Sequence, residues 1–405
     1  MSSLIFGAQL PQHFGSGDLK LDRFRVICDQ TADLESYRFA ESVEQNIVIY
    51  LGDTLRKGIV DSGSESDLKA ELGSCLRDGP GIFVIRGAFQ DTAVIDDMTA
   101  IFIKIVSDEK SLLGEVGDHF GDNERIWNSF QKACLVAPEL FIEYYGNPLL
   151  ALAAQAWLGP YYQITAQVNN VKPGGQAQSP HRDYHLGFQS AKTAAEFPAH
   201  AHLMSQFLTL QGSVAHTDMP IESGPTLFLP FSQQFPAGYL AFHEEDFAAV
   251  FEEQKSQVPF EKGDVVFLSP ALFHAAGTNL SQDDRIANLL QISSAFGRPM
   301  ESINRQAMME RVYPILLDRS KRGTISSQAV QDTIAAVADG YSFPTNLDSD
   351  PPIGGNVPFT AQQLMHQALK EHWPPQRLRE ALIRYANKRE ARGLFTVMGR
   401  RYPSH

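Results

Sequence analysis

With 405 residues, 43% of them hydrophobic and 20% charged, the chain can bury a sizeable core, and its composition excludes a disordered or fibrous class. A formal net charge of −13 opposes binding to nucleic acid or to an anionic membrane surface, since both need a positive field. The three cysteines, Cys28, Cys75 and Cys134, are far apart and form no CxxC pair, which argues against a disulfide framework or a thiolate zinc site and fits a reducing interior.

The chain begins Met1-Ser2-Ser3-Leu4-Ile5-Phe6 and soon turns polar, without the basic and then apolar order of a secretory signal. It has no apolar run long enough to span a bilayer, and Pro403-Ser404-His405 is not a peroxisomal address, so a cytoplasmic protein is expected. A β-branched run predicts a strand over 45–51. A helix is predicted over 67–76, a turn at Asp78-Gly79-Pro80-Gly81 and a strand over 82–87. From 91 to 158 apolar residues recur at three and four, as in Met98, Ile101, Phe102 and Ile105, and predict helices.

From 161 to 296 the period becomes two, or short solid apolar runs between turn residues. Strands are predicted at 164–171, 207–214, 226–230, 264–268 and 286–293, and many short strands point to a β-sandwich or jelly roll. An acidic amphipathic helix over 243–253 interrupts them, read as a packed, solvated helix with a lid as the alternative. Beyond 300 the chain is helical again: Ser326 opens one helix, Thr360-Ala361-Gln362-Gln363 matches a capping box, and Pro375 opens and Gly393 closes the last. That last helix carries Arg377, Arg379, Arg384, Lys388, Arg389 and Arg392, read as a basic face paired with acidic surface, with a homo-oligomer contact as second choice.

Chemistry concentrates in Ser179-Pro180-His181-Arg182-Asp183-Tyr184-His185. Two residues apart on a strand, His181 and Asp183 would project from one face and reach one metal ion. His274, after the strand at 264–268, would deliver a second imidazole from another strand end. Two imidazoles and a carboxylate leave three positions open on a metal, which suits a non-haem Fe(II) centre that gathers a cosubstrate and oxygen. Arg285 opens the next strand, where a guanidinium is costly to bury without an anion. A bidentate carboxylate ligand would supply one; a salt bridge to Asp283 or Asp284 is the alternative.

Together with Glu222-Ser223-Gly224-Pro225-Thr226-Leu227-Phe228-Leu229-Pro230 and Lys262-Gly263-Asp264, these residues resemble the phytanoyl-CoA dioxygenase family of Fe(II)/2-oxoglutarate oxygenases. The resemblance covers roughly residues 70 to 300. It implies an α+β fold: a double-stranded β-helix (jelly-roll, cupin-like) core braced by N-terminal helices, with a helical C-terminal extension. The expected division is an N-terminal segment over 1–65, the oxygenase domain over 66–300 and the extension over 301–405. It further implies His181, Asp183 and His274 as iron ligands, Arg285 as the grip on the distal carboxylate of 2-oxoglutarate, and Gln167 and Lys172 as cosubstrate contacts. With O2 as second cosubstrate, a small-molecule substrate would be hydroxylated or desaturated, with release of succinate and CO2. Related halogenases carry Gly or Ala where this chain has Asp183, so chlorination is not expected.

The pattern is broken in two places. Relatives often have serine two residues after the second histidine, where this chain has Ala276, and Thr278 is the candidate to replace its hydrogen bond. Pro230-Phe231-Ser232-Gln233 replaces a Pro-Gly-Ser-His segment, and an altered pocket wall is expected. His185 is left between a structural hydrogen bond and a substrate contact, and Trp127 between core and substrate mouth. A zinc hydrolase would also use two His and one Asp, but His-Glu-x-x-His is absent and Arg285 would have no role. A non-catalytic binding protein would be expected to lose a ligand, and a kinase catalytic loop would need Asn where Phe188 stands.

Overall fold

The computed structural model describes residues 10–61, 63–113 and 123–390. The opening six residues, Arg392 and Gly393 lie outside them. Ten strands follow in chain order: β1 (Ser42–Glu44), β2 (Ile47–Leu51), β3 (Ile82–Arg86), β4 (Glu124–Ile126), β5 (Gln163–Val171), β6 (Thr209–Ala215), β7 (Leu227–Leu229), β8 (Val265–Leu268), β9 (Phe273–Ala275) and β10 (Arg285–Ser293).

Eight of them form one sheet in the order β1-β2-β3-β8-β6-β10-β5-β4, and β7 pairs with β9 in a second. Single bridges widen the small sheet, with His181 joining His274 of β9 and Ser256 joining Phe228 of β7. The result is the two-sheet jelly-roll core of an α+β protein. The outer face of the large sheet, with Tyr50, Phe83, Val168, Phe267 and Ile292, packs on helices in the main core. Its inner face, with Ile49, Val84, Val266 and Leu268, turns toward the small sheet and packs with Phe228. Because β3 and β8 are buried on both faces, they read as solid apolar runs rather than as alternation.

The long elements lie where the sequence puts them, and the differences have local causes. The strand predicted from 45 starts at Ile47, because Gln45 and Asn46 have φ of 50° and 65° and form the tight turn between β1 and β2. β6 starts at Thr209, two residues late, because a helix over Ala199–Ser205 leads into it. β4 and β9, of three residues each, are too short to carry a period. The acidic helix, Glu245–Gln254, buries Phe247, Val250 and Phe251 in a satellite core, and none of its residues lines the central cavity described below.

The C-terminal helices Arg305–Arg322, Ser327–Val337, Ala361–Lys370 and Pro375–Arg389 join the main core through Tyr313, Leu316, Ile334, Met365 and Leu382. Ser326 caps the second, Thr360 and Gln363 form the capping box of the third, and Pro375 opens the fourth. On the last helix, Arg377 pairs with Glu371, Arg379 with Glu310, and Lys388 and Arg389 with the buried Asp350, so four of these cations meet carboxylates. All three cysteines are buried and free. No helix among the described residues is long and apolar enough to cross a membrane.

Candidate metal centre

His181, Asp183 and His274 form a group of potential ligands whose candidate ligand atoms lie within 4.8 Å of one another. The route differs from the one the sequence suggests. His181 sits on a one-residue bridge and Asp183 in the turn after it, not on a regular strand, while His274 is the middle residue of β9. Backbone bonds bring them together: His181 and His274 exchange amide-to-carbonyl bonds of 3.0 and 3.1 Å, and Asp183 N donates to Pro270 O at 2.9 Å.

Both imidazoles are held in one orientation by the same device. Nδ1 of His181 lies 2.9 Å from Ser179 O and Nδ1 of His274 lies 2.9 Å from Leu272 O. A ring nitrogen that donates to a carbonyl leaves the other as the lone-pair donor, so both Nε2 atoms are free for a metal. They face the Asp183 carboxylate, His274 Nε2 at 3.4 Å from Oδ2 and His181 Nε2 at 3.8 Å from Oδ1. Two neutral imidazoles and one carboxylate, with no thiolate, fit Fe(II).

In the metal-free protein burial works against the Asp183 charge, but hydrogen bonding from His274 and the positive charge both rings carry when protonated outweigh it and hold the carboxyl down at about 2. The two rings diverge. Burial opposes the charge on His274 but the Asp183 bond raises its pKa, whereas burial and the neighbouring His274 lower that of His181.

A cavity of about 1170 Å³ opens between the sheets, lined by all three residues and by Arg285, Gln167, Ala276, Gln211 and Gln291. Arg285, the first residue of β10, is 6% exposed. Its Nη1 reaches only the carbonyls of Ser223 at 3.2 Å and Gly277 at 3.4 Å, and burial lowers its pKa to about 10. No carboxylate among the described residues pairs with it: Asp284 is taken by Lys172 at 2.7 Å, and Asp283 forms no ion pair with it. Gln167, buried on β5, accepts from Arg125 Nη1 at 3.1 Å.

The two other expected cosubstrate contacts both have protein partners. Lys172, just past the end of β5, lines both the central cavity and a separate outer groove, and its ammonium is held by Asp284 at 2.7 Å and Glu124 at 3.0 Å, which line the groove and not the cavity. Thr278 is absent from the cavity wall, because its hydroxyl accepts from Ala177 N at 3.0 Å. Phe231, Ser232 and Gln233 likewise do not line the cavity. Gln233 donates to Gly79 O at 2.8 Å and packs where a Cβ on Gly81 would stand 2.4 Å from its Cδ, so this segment fixes the turn before β3 rather than the pocket wall.

Trp127 lines the cavity, with the Arg125 guanidinium 5.2 Å from its ring centre. His185 does not line it; its amide donates to Ser205 Oγ at 2.9 Å and its Nε2 faces Thr209 Oγ1 at 3.5 Å.

Two residues at the centre escape sequence reading. Arg182, between two ligands, is 2% exposed; Nη2 donates to Ser232 O at 2.5 Å and Phe235 O at 3.1 Å, and the guanidinium lies 5.2 Å from both the Tyr239 and Phe273 rings. It ties the ligand turn to the small sheet, and a Cβ on Gly238 would come within 1.8 Å of its Cζ. Gln211 Nε2 donates to Asp183 Oδ2. An arginine inside His-x-Asp and a glutamine in an apolar strand are visible as oddities in the sequence, but nothing there gives their partners.

A family model described as phytanoyl-CoA dioxygenase (PhyH) matches residues 79–287. A dioxygenase named cdmD, from Talaromyces verruculosus, is 30% identical over 150 residues, which is 36% of this chain and 43% of that protein, so the match spans less than half of that relative's length. Among solved structures, the non-haem alpha ketoglutarate dependent carbocyclase SnoK from nogalamycin biosynthesis is 20% identical with a TM-score of 0.40, covering 55% of this chain and 83% of that one. The epimerase SnoN, in complex with Fe3+, alpha ketoglutarate and nogalamycin RO, is 18% identical with a TM-score of 0.39, covering 57% and 84%.

Proposed function

The chain belongs to the phytanoyl-CoA dioxygenase family of Fe(II)- and 2-oxoglutarate-dependent oxygenases, and on that premise we propose that it hydroxylates or desaturates a small-molecule metabolite with O2. The observation that carries this reading is the pairing of an oriented His181, Asp183, His274 set with a buried Arg285 that lacks a carboxylate partner among the described residues, all lining one cavity.

His181 Nε2, His274 Nε2 and Asp183 would hold iron. The chemistry supplied there is oxidative decarboxylation of 2-oxoglutarate to succinate and CO2, coupled to oxidation of the substrate. Arg285 would receive the distal carboxylate of 2-oxoglutarate in a charge-assisted pair, which offsets the cost of burying both charges. Gln167, held by Arg125, adds an amide on the same wall. The Nδ1 bonds of both histidines keep the rings from turning or taking a proton on that side. Zinc hydrolysis leaves Arg285 without a role.

The test is succinate formation from 2-oxoglutarate by purified protein with Fe(II), O2 and panels of candidate metabolites. Substrate-stimulated succinate release that depends on added Fe(II) is expected. Protein that binds Fe(II) stoichiometrically and turns over no 2-oxoglutarate, coupled or uncoupled, would contradict the proposal.

A further inference from the structure

The inner face of the large sheet is built in rows. Gln211 of β6 stands opposite Gln291 of β10, and Gln291 opposite Thr165 of β5. Among the described residues, one side chain of this face bonds to a ligand residue: Gln211 Nε2 donates to Asp183 Oδ2. Gln211 is 9% exposed, and its Oε1 is buried without a partner. Its neighbour Gln291 has an equally unpartnered Oε1, so what sets Gln211 apart is the bond its Nε2 makes to Asp183. Turning the amide over would set two oxygens against each other, so its orientation is fixed by Asp183.

The two oxygens of Asp183 are therefore unlike. Oδ2 is taken by the Gln211 donor and lies toward His274, while Oδ1, 3.8 Å from His181 Nε2, receives no hydrogen bond from any described residue. A carboxylate can bind a metal through one oxygen or both. A centre that must admit a chelating 2-oxo acid and O2 needs three open positions, and a carboxylate bound through both oxygens would take one of them.

We propose that Gln211 is a positioning residue that fixes Asp183 as a one-oxygen ligand through Oδ1 and so preserves the third open position; this rests on the reading of the site as an iron centre. Being neutral, the amide does so without withdrawing the ligand's charge. Gln291, its neighbour in the row, makes no bond to the ligand set and serves as the control.

The experiment uses the full chain with Co(II) as an optical probe. Gln211→Met keeps the length of the side chain and removes the donor. It should bind Co(II) about 10- to 100-fold more weakly, with a changed visible d–d spectrum, and lose most of the spectral change that 2-oxoglutarate produces in the wild type. Gln291→Met should match the wild type in Co(II) affinity and spectrum. Should Gln211→Met fail to fold, Gln211→Leu provides the same comparison. If the wild type binds Co(II) and responds to 2-oxoglutarate while the Gln211 variant matches it in affinity and spectrum, the role of Gln211 is overturned. A wild type that takes up no Co(II) instead overturns the iron-centre reading.

Discussion

The two sheets that enclose the cavity hold themselves together by different means. In the large one, β10 is paired along its length to β5 and over seven positions to β6, so its side chains are placed by continuous ladders. In the small one, β7 and β9 share three pairs, and single bridges carry it outward to His181 and Ser256. Yet the proposed ligands stand on or beside the small sheet. What the ladders do not supply there is supplied by fixed side chains: two Nδ1 bonds, an aspartate amide on Pro270 O, and Arg182 bound beneath the turn.

Two buried guanidiniums flank the cavity, Arg182 beside the small sheet and Arg285 on the large one, and burial lowers both to about 10. Arg182 donates through Nη2 to two carbonyls and lies over two rings. Arg285 has two long carbonyl contacts and faces the cavity. One is structural and the other lacks a carboxylate partner among the described residues; on the proposed reading this divides the labour, the small sheet to hold the metal and the large sheet the cosubstrate.

His274→Ala should break this division most completely, abolishing both Fe(II) binding and succinate formation, as followed by metal analysis and product assay. Arg285→Gln should leave Fe(II) affinity intact and raise the 2-oxoglutarate KM at least about 30-fold, the lower end of the ~2–5 kcal/mol expected when a buried charge pair loses one partner. Gly238→Ala drives a methyl into Arg182 and should cost ~1–3 kcal/mol by overpacking, seen as a lower urea midpoint.

Asp183→Asn in metal-free protein gives a pH signature. The Asp183 carboxyl is lowered on folding, from an unfolded value near 4 to about 2. Its ionised form therefore stabilises the fold above the unfolded value, and the contribution is lost as pH falls from 4 toward 2. A shift of this size corresponds to ~2 kcal/mol, so the variant should be less stable than wild type at pH 5, with the gap narrowed to about half at pH 3. Equal gaps at both pH values would contradict the assignment. Lys172→Ala should do least: its ammonium serves Glu124 and Asp284 in a partly exposed cluster worth under about 1 kcal/mol, and the 2-oxoglutarate KM should stay within about fivefold of wild type. A large rise in KM would restore it as a cosubstrate contact.

What the sequence made legible follows the same boundary between sheets. Long strands with a period, such as β5 and β10, and helices with caps, such as those opened by Ser326 and Thr360, declare themselves locally. The grouping of the proposed ligand residues is legible because their types and order match a family motif, not because their backbone is regular: His181 is a single bridge and β9 has three residues. Lys172 and Thr278 were placed from the motif alone, while their side chains are committed to Asp284, Glu124 and Ala177 by contacts that lie up to 112 residues away in sequence. Gln211 and Arg182 were not legible for the same reason. Their partners, Asp183 and the carbonyls of Ser232 and Phe235, meet them only once both sheets have closed.

The division of labour is tested most directly by an anaerobic titration of wild type and Arg285→Gln, first with Fe(II) and then with 2-oxoglutarate, following the weak visible charge-transfer band of the chelate. The account predicts equal Fe(II) affinity in both, with the band rising at low 2-oxoglutarate in the wild type and only at concentrations at least about 30-fold higher in the variant. A band that rises at the same concentration in both, or none in fully iron-loaded wild type, would contradict it.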